Sequence, residues 1–367
     1  MSRSVAPLFE PFTFKGLTLP NRVVMAPMTR SQSPGGIPGP EVAAYYRRRA
    51  EAECGLIITE GTTVNTPVAT GDPNVPQFWG DEALKGWKRV VEEVHDAGGK
   101  IMPQLWHVGM MRNPAKATNT EMPSHGPSGL AKPGKQLSEP MTKAEIKATV
   151  DAFARAAADA RTLGFDGVEV HGAHGYLIDQ FFWDGTNQRE DEYGGDLVGR
   201  TRFAVEIIEA IRREAGKDFP LILRFSQWKQ QDYAVKLAQT PAELGAFLKP
   251  LSDAGVDVFH CSQRRFWEPE FEGSDLNLAG WTKKLTGKPS ITVGSVSLSG
   301  EFIGSFMGEA SEATGIDDLL ERLERGEFDL VAVGRALLVD PAWTHKVHQG
   351  AFDQLLPFKP EALATLS

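Results

Sequence analysis

The chain has 367 residues, 41% hydrophobic and 24% charged, enough for one large α/β barrel or two ordinary domains with a sizeable core. Its 48 acidic residues outnumber 39 basic ones, a formal charge of -9 that argues against nucleic acid or an anionic membrane as main partner. Two cysteines cannot build a disulfide framework or zinc knuckle, and no apolar run nears the roughly 18 residues of a membrane span or forms a secretory h-region, so a cytoplasmic setting is expected.

In chain order, the first strand-like run is "NRVVMAPMT" from Asn21, followed by the helical pattern "PEVAAYYRRRAEAE". "GLIITEG" from Gly55 precedes "ALKGWKRVVEEVHDAGG". "KIMPQLWH" from Lys100 leads into a connection over about 107–140 rich in Pro, Gly, Ser and Asn, and then into "KAEIKATVDAFARAAADARTLG". "GVEVHGAH" from Gly167 precedes "GRTRFAVEIIEAIRREAG", and "LILRFS" from Leu221 precedes "PAELGAFLKPLSDAG". "VDVFHCSQ" from Val256 opens a second long loop, "SQRRFWEPEFEGSDLNLAGW", a possible lid over about 262–281. "PSITVGSV" from Pro289 is followed by a shorter, less regular helix, and "DLVAVGRALL" from Asp329 is the eighth run.

The strand-like runs are β-branched or aliphatic and end at Gly, Pro or Asp, while the helical ones repeat apolar residues every three or four positions. Thr142 to Glu145 and Thr240 to Glu243 read as capping boxes. Eight alternations of strand and helix make the fold α/β: a (β/α)₈ TIM barrel, with residues 1–367 forming one domain.

In such barrels the chemistry sits at the C-terminal strand ends. Here these ends hold Thr29, Gly61, Gln104, Trp106, His107, His171, His174, Arg224, Gly294, Gly334 and Arg335. The loops after strands seven and eight, where barrels commonly bind phosphate, supply Gly294, Gly334 and Arg335. Arg224 is a second cation that needs an anion or a dense set of acceptors.

The stretch "EVHGAHGYLIDQFF" from Glu169 places His171, His174 and Tyr176 together. A metal would need further ligands such as His107 and Glu169, which gives an alternative reading as a metal-assisted hydrolase or lyase. The reading favoured by the residues is a polar clamp. Two imidazole N–H groups polarise one substrate oxygen, and a phenol of pKa about 10 acts as acid toward a carbanion forming beside it.

At these residues the chain resembles the Old Yellow Enzyme family of FMN-dependent ene-reductases, which are (β/α)₈ barrels. The likeness runs from "LFEPFTFKGLTLPNRVVMAPMTR" through "PQLWH" and "HGAHGYLIDQFFWDGTNQREDEYGGDLVGRTRF" to "GRALLVDPAW". It implies FMN as cofactor and NADPH or NADH as hydride donor. Pro27, Met28, Thr29, Gly61, Gln104 and Arg224 would surround the flavin ring, and Gly294, Ser295, Gly334 and Arg335 would hold its phosphate. His171 and His174 would grip the substrate oxygen and Tyr176 would supply the proton. Trp106 would shape the substrate pocket, with Phe266 and Trp267 as lid aromatics. Asn187, Arg189, Asp191 and Tyr193 would lock the loop after strand four rather than touch substrate. The implied partner is a small electrophilic alkene, for a monomer or homodimer, with reduction mainly of nitro groups or nitrate esters as a variant. No metal is implied.

Overall fold

Side chains alternate between the two faces of a strand, and in this chain both faces are apolar at the strand starts. In the structure, a computed structural model that describes residues 3–300 and 308–367, eight parallel strands close into a barrel. They are β1 (Val23–Met25), β2 (Leu56–Thr63), β3 (Ile101–Trp106) and β4 (Val168–His174), then β5 (Leu221–Lys229), β6 (Val258–Ser262), β7 (Ser290–Val293) and β8 (Leu330–Val333). Neighbours in sequence are neighbours in space, and β8 closes on β1 with Val331 opposite Val23.

Val24, Ile58, Met102, Ile222, Val258 and Leu330 point inward and form one buried cluster. The residues beside them, such as Val23, Ile57, Ile101 and Val331, belong to the outer core under the helices. A hairpin pairing Phe12–Phe14 with Leu17–Leu19 lays Phe14 and Leu19 on the inner cluster. The barrel is therefore plugged by hydrocarbon at its N-terminal end, and its polar strand ends face the other way.

The outer helices include α1 (Pro40–Glu51), α2 (Asp81–Asp96), α3 (Lys143–Leu163), a short α4 (Leu177–Phe182), α5 (Arg202–Glu214) and α6 (Pro241–Ala254). In α3, Ile146, Val150, Phe153, Ala157 and Ala160 bury one stripe. Its start is the capping box read from the sequence, with Thr142 Oγ1 accepting from the Glu145 N–H and Glu145 accepting from the Thr142 N–H. Only half of the second box forms: Thr240 caps Glu243, but the Glu243 carboxylate takes the Gln239 N–H instead.

Three boundaries differ from the sequence reading. β1 stops at Met25, because Pro27 brings no N–H to a ladder. β5 runs on to Lys229, beyond the "LILRFS" expected, and so carries Trp228 to the barrel mouth. Part of the presumed lid is instead a helix, α7 (Leu278–Thr286), which the long polar approach hid and which Asn277 caps through the Gly280 N–H. The helix Asp317–Glu324 follows β7, and residues 301–307 between the two lie outside the described ones. Among the described residues, no helix is long and apolar enough to cross a membrane.

The connection after β3 carries a small antiparallel hairpin, Leu130–Lys132 with Lys135–Gln136. It is tied to the barrel by Arg189, whose guanidinium pairs with Asp191 at 2.6 and 2.9 Å and donates to the carbonyls of Pro127 and Met141 at 2.8 and 2.6 Å. Asn187 donates to the Phe181 and Tyr193 carbonyls, and the Tyr193 hydroxyl donates to Glu206. Replacing Arg189 with Ala strands two carbonyls and one carboxylate at once. The expected loss is about 2–4 kcal/mol in urea unfolding, with faster protease cleavage between residues 113 and 138 than elsewhere. Unchanged cleavage there would count against the tie.

Candidate active site

Where the strands end, the inward residues change from hydrocarbon to polar groups around a cavity of about 410 Å³. Pro27, Met28 and Thr29 line it from the chain after β1, Gln104 and Trp106 from β3, and His171, His174 and Tyr176 from the β4 corner. Arg224 enters from β5, while Gly294, Ser295, Gly334 and Arg335 enter after β7 and β8.

Three expected residues do not line it. Phe266 is buried in the outer core, edge-on to Trp267 at 5.0 Å, with its N–H on the Gly294 carbonyl and its own carbonyl taken by Asn277. The aromatic pair packs the strand-six loop down instead of covering the mouth. Gly61 lies behind Trp106, where a Cβ would come within 2.4 Å of the indole. It is glycine because the tryptophan fills its side-chain space.

The histidine–tyrosine corner depends on two successive left-handed residues, His174 (φ 65) and Gly175 (φ 78). A Cβ on Gly175 would fall 1.8 Å from Gln231, so glycine is required there. The reversal sets the His171 ring 5.1 Å from His174 and 5.0 Å from Tyr176, both edge-on, with Trp106 at 6.0 Å in parallel. His171 Nδ1 accepts the Ala173 N–H at 3.3 Å, which leaves its proton on Nε2. Burial first, and then the Arg224 charge, hold both histidines well below the usual imidazole range, so they are neutral donors. Burial raises the Tyr176 phenol above its ordinary value, which keeps its proton on at neutral pH, although the Gln230 side chain opposes the shift.

Beneath the cavity lies a polar layer. Glu169 accepts from Gln104 Nε2 at 2.8 Å and binds His260 Nδ1 at 2.7 Å, and both Glu169 and His260 are fully buried. With its amide nitrogen so engaged, Gln104 turns its carbonyl oxygen toward the remaining space. Arg224 Nε is buried with no partner among the described residues, an unspent donor beside the cavity. Around Thr29, Glu60 accepts the N–H groups of Arg30 and Ser31, and burial raises its carboxyl to about 7.

After β7 the backbone turns through positive φ at Gly294 (147), Ser295 (51) and Ser297 (61), a concave run of the kind that presents amides to an anion. Arg335 lies at the same end, with its Nη2 on the Gly300 carbonyl and its guanidinium over Phe358. The donor set fits a flat heterocycle that carries carbonyls and a phosphate, which is what FMN offers: Gln104 and Arg224 for the ring edge, and the Gly294 turn with Arg335 for the phosphate.

The alternative metal centre is not assembled. Glu169 is spent on Gln104 and His260, and His107 stacks on His125 at 5.8 Å in the connection after β3. Among the described residues no group of three or more His, Cys, Asp or Glu is placed to hold a metal ion.

The cavity also has walls that the sequence reading missed. Trp228 and Gln230 come from the unexpected end of β5, Ser262 and Gln263 from the end of β6, and Phe358 and Leu363 from the C-terminal segment. The strand-end rule itself would have found Ser262 and Gln263. Nothing local marks Phe358 or Leu363.

Known proteins resemble the chain over nearly its whole length. Residues 7–354 match the profile of the NADH:flavin oxidoreductase / NADH oxidase family. The chain is 34% identical over 349 residues to 12-oxophytodienoate reductase 7 of Oryza sativa subsp. japonica, covering 92% of this chain and 86% of that one. It is 33% identical over 357 residues to 12-oxophytodienoate reductase 2 of Arabidopsis thaliana, with coverage of 93% and 88%. Among solved structures, morphinone reductase in complex with tetrahydroNAD superposes with a TM-score of 0.81 at 29% identity, covering 97% and 93%. The old yellow enzyme homologue from Zymomonas mobilis also gives 0.81, at 27% identity and coverage of 98% and 97%.

Two outcomes follow from the geometry. Gly61→Ala drives Trp106 toward the cavity, with an expected cost of about 1–3 kcal/mol in unfolding and weaker retention of FMN on dialysis; full retention would mean the indole has slack. The second concerns pH. His107, His171, His174 and His260 are held below their ordinary value chiefly by burial, whereas unfolded they titrate near 6.5. Below about pH 6.5 the unfolded chain takes protons that the folded one refuses, so their contribution is intact above that pH and is lost as pH falls. Urea unfolding at pH 7.5 and 5.5 should show a loss of up to about 1.4 kcal/mol per pH unit for each histidine. Glu60 acts in the opposite sense, weakening the fold as pH rises from about 4.5 to 7.

Proposed function

Since the chain belongs to the NADH:flavin oxidoreductase / NADH oxidase family, the Old Yellow Enzyme family, and is an FMN-dependent oxidoreductase using reduced nicotinamide, we propose that it reduces activated carbon–carbon double bonds. The substrates are α,β-unsaturated carbonyl or nitro compounds, which share an oxygen conjugated to the alkene. One observation carries the reading: two neutral imidazoles and a protonated phenol line one cavity together with Gln104 and Arg224. The relatives named as reductases of 12-oxophytodienoate and morphinone support it.

When bound, FMN would supply the two-electron hydride chemistry between NADPH or NADH and the substrate's β-carbon, with Gln104 and Arg224 at its ring edge and the Gly294 turn and Arg335 at its phosphate. His171 and His174 hold the substrate oxygen and draw charge onto it as the β-carbon is attacked. Each such donor contributes about 2.7–4 kcal/mol at a transition state where the charge is fully developed. Because the imidazoles are neutral, they polarise without surrendering a proton to the oxygen. Tyr176 places its proton on the α-carbon, and the buried setting that keeps the phenol protonated also keeps water from competing. Trp106 packs edge-on against the Tyr176 ring at 4.9 Å and so holds the phenol at the cavity wall.

Purified protein should be yellow, bleach anaerobically with reduced nicotinamide, and regain colour with an enone or nitroalkene. Tyr176→Phe should slow the reoxidation by about 10²–10⁴-fold, the usual worth of a general acid, and slow flavin reduction far less. An equal loss in both half-reactions would remove Tyr176 from the role of proton donor.

A further inference from the structure

His174 is the more tightly held of the two clamp histidines, and none of the residues holding it was legible as a partner in sequence. Its backbone N–H donates to Ser226 Oγ at 2.9 Å. Its ring stacks on Trp228 at 4.7 Å with the planes 29° apart. Its Nε2 lies 2.7 Å from Ser262 Oγ. Trp228 in turn donates from Nε1 to the Ser262 carbonyl at 3.2 Å, so serine and tryptophan form one bracket around the imidazole.

The direction of the Ser262 hydrogen bond follows from what its other neighbour can do. Arg224 Nη2 approaches the same Oγ at 3.4 Å, and a guanidinium only donates. The serine oxygen therefore accepts from Arg224, and its single proton is free to be given. If His174 also donated to that oxygen, the serine proton would have no acceptor among the described residues and could turn only to the cavity that Ser262 lines. The satisfied arrangement runs from Arg224 to Ser262 to His174 Nε2. A neutral imidazole that accepts at Nε2 carries its proton on Nδ1.

We propose that Ser262 is the positioning residue that sets the tautomer of His174, so that this histidine meets the substrate oxygen with Nδ1–H while His171 meets it with Nε2–H. The use assigned to that N–H rests on the ene-reductase reading; the tautomer itself does not. The two rings stand edge-on at 86°, with centroids 5.1 Å apart. Other charges around His174 come from Arg224, from Lys229 paired to Asp179, and from the His260–Glu169 pair; with His171 they disfavour the imidazolium and leave the neutral tautomers to compete.

The test is long-range ¹H–¹⁵N correlation on the FMN-loaded protein labelled at histidine nitrogens, with His174 assigned by its loss in His174→Asn. The expected spectrum shows His174 with a pyrrole-type Nδ1 and a pyridine-type Nε2. Ser262→Ala should convert it to a mixture or to the reverse tautomer and raise KM for 2-cyclohexen-1-one about tenfold, and Ser262→Thr should restore both. Wild-type protein with the proton on Nε2 overturns the proposal, as does an unchanged tautomer in Ser262→Ala. Should Ser262→Ala not fold, the wild-type and Ser262→Thr spectra still decide. A protein that turns over no enone would sink the proposed function yet leave the tautomer readable.

Discussion

The corner that brings His171, His174 and Tyr176 together hangs on one ion pair that water does not reach. Lys229 Nζ lies 2.6 Å from Asp179 Oδ1, and neither side chain has any exposure. Burying such charges costs several kcal/mol each, so the pair survives only because its remaining valences are used. Asp179 Oδ2 takes the Gly175 N–H at 2.7 Å, and Lys229 also reaches the Ser226 carbonyl at 3.4 Å. Burial pushes the aspartate's pKa up and the lysine's down, while their mutual attraction resists both shifts. The pair thus fastens the end of β5 to the first turn of α4, and through the Gly175 N–H it also holds the left-handed turn between β4 and α4.

Around that anchor the charges are sorted by height. Hydrocarbon fills the lower barrel, the Gln104–Glu169–His260 layer comes next, and neutral donors face the cavity above it. Glu169 orients Gln104, and Arg224 orients Ser262, so these two groups at the cavity edge have their donor or acceptor direction set by a buried partner. The histidines stay neutral first because they are buried and then because a second positive charge beside Arg224 is unfavourable. A cavity with a positive edge and uncharged donors suits chemistry in which negative charge grows during the reaction and is absent before it.

How far the sequence was readable depended on the range of the forces involved. The barrel was legible because each βα unit carries its own signal in alternation, periodicity and caps; Thr142 with Glu145 is a contact over three residues. The strand-end residues were legible for the same reason, and the stretch "EVHGAHGYLIDQFF" placed both histidines and the tyrosine in the cavity wall. Phe266 and Trp267 were misread because aromatics in a polar loop give no sign of whether they turn up to a ligand or down to the core. Trp228 was missed because a glutamine-rich stretch conceals a strand that pairing with β4, His174 opposite Lys229, extends.

By itself the sequence determined the architecture, the family likeness and which strand ends line the cavity, since these depend on local patterns and on a topology that short connections leave little freedom to alter. Tertiary structure alone decided which nitrogen each histidine offers, why Gly61 has no side chain, and which residues wall the cavity from the C-terminal segment. Those features come from groups far apart in the chain that meet only when the barrel closes, such as Ser262 and His174, whose contact spans 88 positions. A hydrogen bond of that kind has a direction only once every neighbour of both atoms is in place.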